Sequence, residues 1–112
     1  MHTVVETPSY LSAAKELLDA EGMTSVVEMV ASNPELGEVM PGTGGFRKFR
    51  AARPGMGKRG GVRVIYIYRD ETFPLFLVKV YAKNMKENLT MAERRVLKQS
   101  ADQIFENYGG KA

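Results

Sequence analysis

Val62-Arg63-Val64-Ile65-Tyr66-Ile67-Tyr68-Arg69 and Leu75-Phe76-Leu77-Val78-Lys79-Val80-Tyr81-Ala82-Lys83 decide the fold. Both runs are rich in β-branched and aromatic residues, the composition of strands. Only Asp70-Glu71-Thr72-Phe73-Pro74 separates them. So short a link makes an antiparallel hairpin rather than a crossover. Period-two alternation then sorts each strand into faces. On the second run Phe76, Val78, Val80 and Ala82 point into the core. Lys79, Tyr81 and Lys83 point the other way, with Leu75 and Leu77 nearer the start. On the first run Arg63, Ile65, Ile67 and Arg69 share one face, opposite Val64, Tyr66 and Tyr68.

Upstream, Pro54-Gly55-Met56-Gly57-Lys58-Arg59-Gly60-Gly61 reads as a basic, glycine-rich loop, and Phe46 to Arg53 as a strand entering it. Within Lys48-Phe49-Arg50 the two bases share a face and Phe49 turns inward. Pro41-Gly42-Thr43-Gly44-Gly45 is a turn. Further back, Thr7-Pro8 opens a helix, since proline suits the first turn. Leu11, Ala14, Leu17 and Leu18 form its buried stripe, and Gly22 ends it. Ser25-Val26-Val27-Glu28 has the form of a capping box and starts a second helix, which Asn33-Pro34 stops. Val4-Val5, flanked by Thr3 and Glu6, makes a short first strand. Downstream, Thr90-Met91-Ala92-Glu93 is another capping box. Leu97, Ala101, Ile104, Phe105 and Tyr108 follow on one helical face, and Gly109-Gly110 ends it. The order β-α-α-β-β-β-α predicts an α+β fold: an antiparallel sheet of about four strands, an N-terminal helical hairpin and a C-terminal helix. With no internal repeat or linker, residues 1–112 are expected to be one domain.

The absence of cysteine excludes a disulfide scaffold and a thiolate metal site. No apolar run approaches the ~18 residues needed to cross a bilayer. The start, Met1-His2-Thr3-Val4-Val5-Glu6, lacks the basic and then apolar pattern of a signal peptide. The expectation is a cytoplasmic protein without membrane contact. The net charge of +3 conceals a sharp segregation. Residues 1–46 carry seven acids against Lys15 alone, whereas residues 47–86 carry eleven bases against Asp70 and Glu71. From Val39 to Arg69 there is no acid at all, which suggests a surface that meets a polyanion. The plainer reading is a solvated basic side of a sheet.

Lys48, Arg50, Arg63, Lys83 and Tyr81 are the candidate catalytic residues. Together they would hold several cations and a phenol over one area, suited to a phosphate chain with a base available for stacking. Arg47, Arg53, Lys58, Arg59, Lys79 and Lys86 are candidate RNA-binding residues around them. Each also has a structural reading: Arg63 as a salt-bridged strand residue, Lys83 as a guard against edge aggregation, Tyr81 as a cross-strand packing partner. The glycine-rich loop lacks the G-x-x-x-x-G-K-[ST] pattern of a phosphate-binding loop. His2, the only histidine, sits at an end expected to be mobile. No carboxylate pair lies on the basic face and no His or Cys cluster exists, so no metal and no cofactor is expected. What remains for an enzyme acting on RNA is attack by the 2′-hydroxyl on the adjacent phosphate, with arginines stabilising the transition state. A lysine or tyrosine would move the protons, each with a free pKa near 10 that neighbouring cations lower for lysine. Such a site needs help in placing its substrate.

Gly44-Gly45-Phe46-Arg47-Lys48-Phe49-Arg50, then Gly57-Lys58-Arg59-Gly60-Gly61-Val62-Arg63-Val64-Ile65-Tyr66, resembles the HigB branch of the RelE-like toxins. So does Val80-Tyr81-Ala82-Lys83-Asn84-Met85-Lys86-Glu87-Asn88-Leu89-Thr90, similar to the family's "YAKNEKEDLT" ending of the last strand. The likeness runs from roughly residue 36 to 98. It implies a RelE/ParE fold of microbial-ribonuclease type that cleaves mRNA in the ribosomal A site. It also implies a cognate antitoxin of the HigA type, carrying a helix-turn-helix that binds operator DNA. Lys48, Arg50, Arg63 and Lys83 match the family's basic positions. The tyrosine that follows the last strand in RelE itself has no counterpart in Asn84 to Leu89, so Tyr81 is only a substitute for the stacking role.

Two alternatives remain beside the ribosome-dependent endonuclease. One is a ParE-like inhibitor of DNA gyrase with no nuclease site, disfavoured by the dense basic face. The other is a plain nucleic-acid-binding module. Sequence-specific DNA binding by this chain alone is not expected, because no helix has the basic face of a recognition helix.

Overall fold

The computed structural model describes residues 1–52, 61–82 and 89–109. In chain order the elements are β1 (Val4–Glu6), α1 (Pro8–Leu17), α2 (Ala20–Ser32), β2 (Glu38–Val39), β3 (Phe46–Ala51), β4 (Val62–Ile67), β5 (Leu75–Ala82) and α3 (Met91–Gly109). This is the α+β arrangement expected, with a helical hairpin first and a helix last. Among the described residues the sheet has five strands in the order β1-β5-β4-β3-β2. The extra strand, β2, is two residues long and pairs antiparallel with Lys48 and Arg47. β1 lies parallel to β5, Val4 opposite Leu75 and Glu6 opposite Leu77, so the sheet is mixed. A parallel neighbour becomes possible because the long α1–α2 excursion separates the two strands.

The hairpin helices divide differently from the sequence expectation. Thr7 caps α1 with its hydroxyl on Tyr10 N, and Pro8 follows at the first turn. Gly22 does not end α1. It sits buried in the first turn of α2, where its N–H donates to the Asp19 carboxylate at 2.7 Å. That N-cap outcompetes the Ser25 capping box because an aspartate before the first turn satisfies an orphan N–H and meets the positive end of the helix. The chain turns at Leu18 in an extended conformation. The buried face of α1 is Tyr10, Ala14 and then Leu18, with Leu11 and Leu17 only half-buried. At α3 the expected capping box forms: Thr90 Oγ1 accepts from Glu93 N, and Glu93 accepts from Thr90 N.

The sheet separates two cores. On one side α1 and α2 bury Tyr10, Ala14, Val26 and Val30 against Phe49, Val62, Val64, Tyr66, Leu75, Leu77 and Val80. On the other, Leu97 and Ala101 of α3 cover Phe46, Ile65, Ile67 and Phe76. The alternation expected along β5 breaks at a register shift opposite Ile65 and Tyr66. Ile65 pairs with Lys79 while Tyr66 pairs with Leu77, leaving Val78 as an extra residue. This β-bulge resets the phase of the strand. Val80 therefore joins Leu75 and Leu77 in the α1–α2 core, whereas Phe76, Val78 and Tyr81 pack on the α3 side.

His2 is anchored rather than mobile. Its N–H donates to Ala31 O at 2.9 Å, its Nε2 to Phe73 O at 2.7 Å, and its ring meets Tyr68 edge-on at 5.2 Å. The turn before β3 is tied by Thr43, whose buried hydroxyl donates to Met40 O and accepts from Phe46 N. Gly44 in that turn has φ +81°, and a Cβ there would lie 3.2 Å from Ala101 Cβ of α3. Glycine thus sets how closely the turn and helix approach.

Two buried tyrosines make opposite predictions. Tyr66 donates to Pro34 O at 2.6 Å and accepts from Gly37 N at 2.8 Å, closing the link from α2 to β2. Tyr10 is fully buried, and its hydroxyl has no partner among the described residues. In urea denaturation Tyr66→Phe should cost about 1–3 kcal/mol, because the Gly37 N–H is left unpaired, while Tyr10→Phe should be neutral or stabilising. Burial first, and the Glu6 charge second, push the Tyr10 phenol up to about 12. A raised folded-state pKa means stability is intact below the unfolded value near 10 and falls as pH climbs towards 12. That alkaline loss should be absent from Tyr10→Phe.

Candidate functional site

Antiparallel pairing sets β3, β4 and β5 side by side at the end of the sheet away from the β4–β5 turn. Arg50, Arg63 and Tyr81 are Cα partners in one row across the three strands. Lys48, Ile65 and Lys79 form the next row. Directly paired residues share a face, and neighbouring strands lie about 4.8 Å apart. Because Ile65 and Phe46 pack under α3, Arg63, Lys48 and Arg50 emerge on that same side. The bulge at Val78 is what brings Tyr81 there as well. The α3-facing surface is covered where Ile67 and Phe76 pair. Arg50 and Lys79 are exposed, and Lys48, Arg63 and Tyr81 are half-buried.

Two arginines directly opposite each other repel, and β-sheet pairing does nothing to relieve that. Arg63 carries a further deficit: its Nε is buried and has no hydrogen-bond partner among the described residues. A buried N–H of a charged group left unpaired costs about 1–3 kcal/mol or more. Among the described residues, the Arg63 Nε thus has no acceptor and the two guanidinium groups of the row have no carboxylate paired with them. An oxyanion such as a phosphate supplies both the charge and the lone pairs.

The remaining sequence candidates divide. Arg47 is on the opposite face, paired with Tyr66. Its guanidinium donates to Gly37 O at 2.8 Å and Glu35 O at 3.3 Å, with the Glu35 carboxylate 3.8 Å away. Arg47 thus holds the chain entering β2. Arg53, Lys58, Arg59, Lys83 and Lys86 lie outside the described residues. Among the described residues, no group of three His, Cys, Asp or Glu is arranged to hold a metal ion. Nor is any helix there long and apolar enough to cross a membrane.

Two features were not read from the sequence. Near the β4–β5 turn, a cavity of about 800 Å³ is lined by Gly44, Tyr68, Arg69 and Phe105 among others. There Arg69 lies over the rings of Phe73 and Phe105 at 5.1 and 4.8 Å. The Asp70 carboxylate beside it is held below its usual range, chiefly by the Thr72 hydroxyl and N–H. A second cavity, of about 660 Å³, runs along β5 between α1 and α3. Both join residues far apart in the chain, so no local pattern announces them.

The family model for the RelE toxin of the RelE/RelB toxin–antitoxin system matches residues 10–110. The chain belongs to the RelE toxin family. As a RelE-family toxin it has a cognate antitoxin as its expected counterpart, and the matched span takes in every strand of the arginine row.

The like-charge pair gives a direct check. Arg50→Gln should stabilise the fold by about 0.2–1 kcal/mol in denaturant titrations at low ionic strength. The gain should shrink as salt is added, because Arg50 is exposed and screening weakens the repulsion.

Proposed function

We propose that this RelE-family toxin is a ribosome-dependent mRNA endoribonuclease of the HigB-like branch, acting in the cytoplasm without metal or cofactor. The observation that carries the reading is the row Arg50–Arg63–Tyr81, with a buried Arg63 Nε that has no acceptor among the described residues. A scissile phosphate over that row would accept from Arg63 and Arg50. Cleavage then proceeds by in-line attack of the neighbouring 2′-oxygen on phosphorus. The 2′-O–P bond forms, the P–O5′ bond breaks, and the products are a 2′,3′-cyclic phosphate and a free 5′-hydroxyl. The 2′-hydroxyl proton leaves to a base and another proton reaches the departing 5′-oxygen. Lys48 and Lys83 are the side chains proposed for these transfers, the surrounding cations lowering a lysine's pKa towards the working range.

Arginines placed where charge develops stabilise the pentacoordinate transition state more than the ground state. Tyr81, in the same row, offers a ring on which the adjoining base stacks. Lys79 and the bases on either side of the strands, Arg53, Lys58, Arg59 and Lys86, would hold the flanking phosphates. No member of this set is a strong base at neutral pH, so the site depends on a substrate already held in geometry. The ribosomal A site provides such a substrate, which accounts for the dependence on translation. Inhibition would be relieved by a HigA-like helix-turn-helix antitoxin.

Inducible expression in bacteria, with mRNA 5′-hydroxyl ends mapped with and without translation, tests this reading. The expected result is growth arrest with cleavage inside coding regions only when translation runs. Arrest with intact mRNA would move the assignment to a gyrase-type inhibitor. Arg63→Ala should abolish arrest while the protein stays folded and still binds its antitoxin; undiminished arrest would sink the nuclease reading. Tyr81→Phe should retain most activity if the ring stacks, and Tyr81→Ala should lose at least tenfold in cleavage rate, in line with about 1–3 kcal/mol per stacked base.

A further inference from the structure

Strand β2 adds little to either core: both of its residues are exposed, Val39 by 49%. Burial therefore does not hold it in place. Polar contacts from the far face of the sheet do. Tyr66 donates to Pro34 O and accepts from Gly37 N, and Arg47 donates to Gly37 O and Glu35 O. Gly37 is pressed against both side chains, since a Cβ there would lie 2.8 Å from Tyr66 Cε1 and 3.0 Å from Arg47 Cβ. Just past β2, Met40 N donates to Phe46 O at 2.8 Å. A two-residue segment of small apolar value is thus pinned at both ends. What it carries is one charged side chain.

That side chain is Glu38, the Cα partner of Lys48. Directly paired residues share a face, so Glu38 extends the row Lys48–Ile65–Lys79 on the side where Arg50 and Arg63 emerge. Among the described residues the strands hold two acids, Glu6 and Glu38, and Glu6 lies opposite Leu77 of the hairpin core. Glu38 is therefore the one strand carboxylate there that stands on the cationic face. No ion pair among the described residues takes it up.

A carboxylate within a surface for phosphates repels the backbone it lies beside. It is an acceptor only, and its two oxygens suit a pair of adjacent N–H donors. Single-stranded RNA offers such groups on the Watson–Crick edges of its bases. Guanine presents two neighbouring donors, N1–H and N2–H. Adenine and cytosine present one donor beside an acceptor, and uracil one donor between two acceptors. Glu38 stands about 16 Å from Tyr81, three strands across and two residues along. The base that meets Glu38 is thus a different one from the base stacked on Tyr81.

We propose that Glu38 is a specificity-determining residue, its carboxylate accepting from N1–H and N2–H of a guanine at a fixed place in the bound strand. Naming RNA as the ligand rests on the nuclease reading; the register of Glu38 and its clamp do not.

Cleavage sites mapped across cellular mRNA, for the wild type and for Glu38→Gln, provide the test. The wild type should enrich guanine about fivefold or more at one distance from the cut, as a bidentate pair gives. Glu38→Gln exchanges one acceptor oxygen for an amide donor, the pattern that matches adenine. Enrichment at that position should move from guanine to adenine. Val39→Thr, on the opposite face of the same strand, should keep guanine. An unchanged base preference in Glu38→Gln would overturn the proposal whatever its total rate, because a carboxylate that only balances Lys48 affects all sites alike. If the wild type cleaves nothing, the nuclease reading fails by itself. Fluorescence anisotropy with short 2′-O-methyl RNA strands differing at one base then decides. Preference for guanine in the wild type and for adenine in Glu38→Gln supports the assignment, and equal affinities overturn it.

Discussion

Strand β4 lies third of five in the sheet, and five of its six residues are buried. Covering both of its faces is the constraint from which the rest of the architecture follows. Val62, Val64 and Tyr66 need one layer and Ile65 and Ile67 another. One helical hairpin serves the first side and α3 the second. The sheet cannot be a two-layer structure with a free face, because a strand apolar on both sides is unstable against water on either. The one charged residue of β4 is Arg63, which is half-buried.

Among the described residues, the cations gathered there have no carboxylate paired with them. The interior of the sheet fixes the backbone, and the backbone fixes Arg50 and Arg63 as neighbours whatever their charges prefer. Packing energy gathered over the two cores holds together an arrangement that would not assemble from the charges alone. Local unfavourability at a site supported by a stable surround is the usual condition of a group prepared for a ligand. Arg47, one residue from Lys48, shows the contrast, since the opposite face supplies it with two carbonyls and a carboxylate.

Much of this could be read from the residues. The β4–β5 hairpin, the Thr90 cap, the Asn33-Pro34 stop and the inward Phe49 all follow from local chemistry or simple alternation. The shared face of Lys48, Arg50 and Arg63 followed from the same rule. Alternation failed at Val78 because a bulge adds one residue to a single strand and leaves no mark in composition. The α1–α2 boundary was misplaced because two caps compete there and only packing chooses Asp19 over Ser25. The parallel pairing of β1, the anchoring of His2, and the part Arg47 plays under Tyr66 all depend on partners distant in the chain. The family likeness carried the basic positions as a set, but it offered no equivalent for the tyrosine after the last strand.

The pairing of the first strand with the fifth has a consequence in time. His2 and Phe73 are 71 positions apart, and among the described residues β1 pairs in the sheet with β5 alone. During synthesis at about 5–20 residues per second, the opening strand therefore waits several seconds for its partner to exist. The arginine row waits equally, since its last member is Tyr81. Loop closure over so long a span comes late and slowly compared with helix formation. A chain of this topology thus closes its sheet only after Leu75–Ala82 has been made, with both helices of the hairpin already in existence.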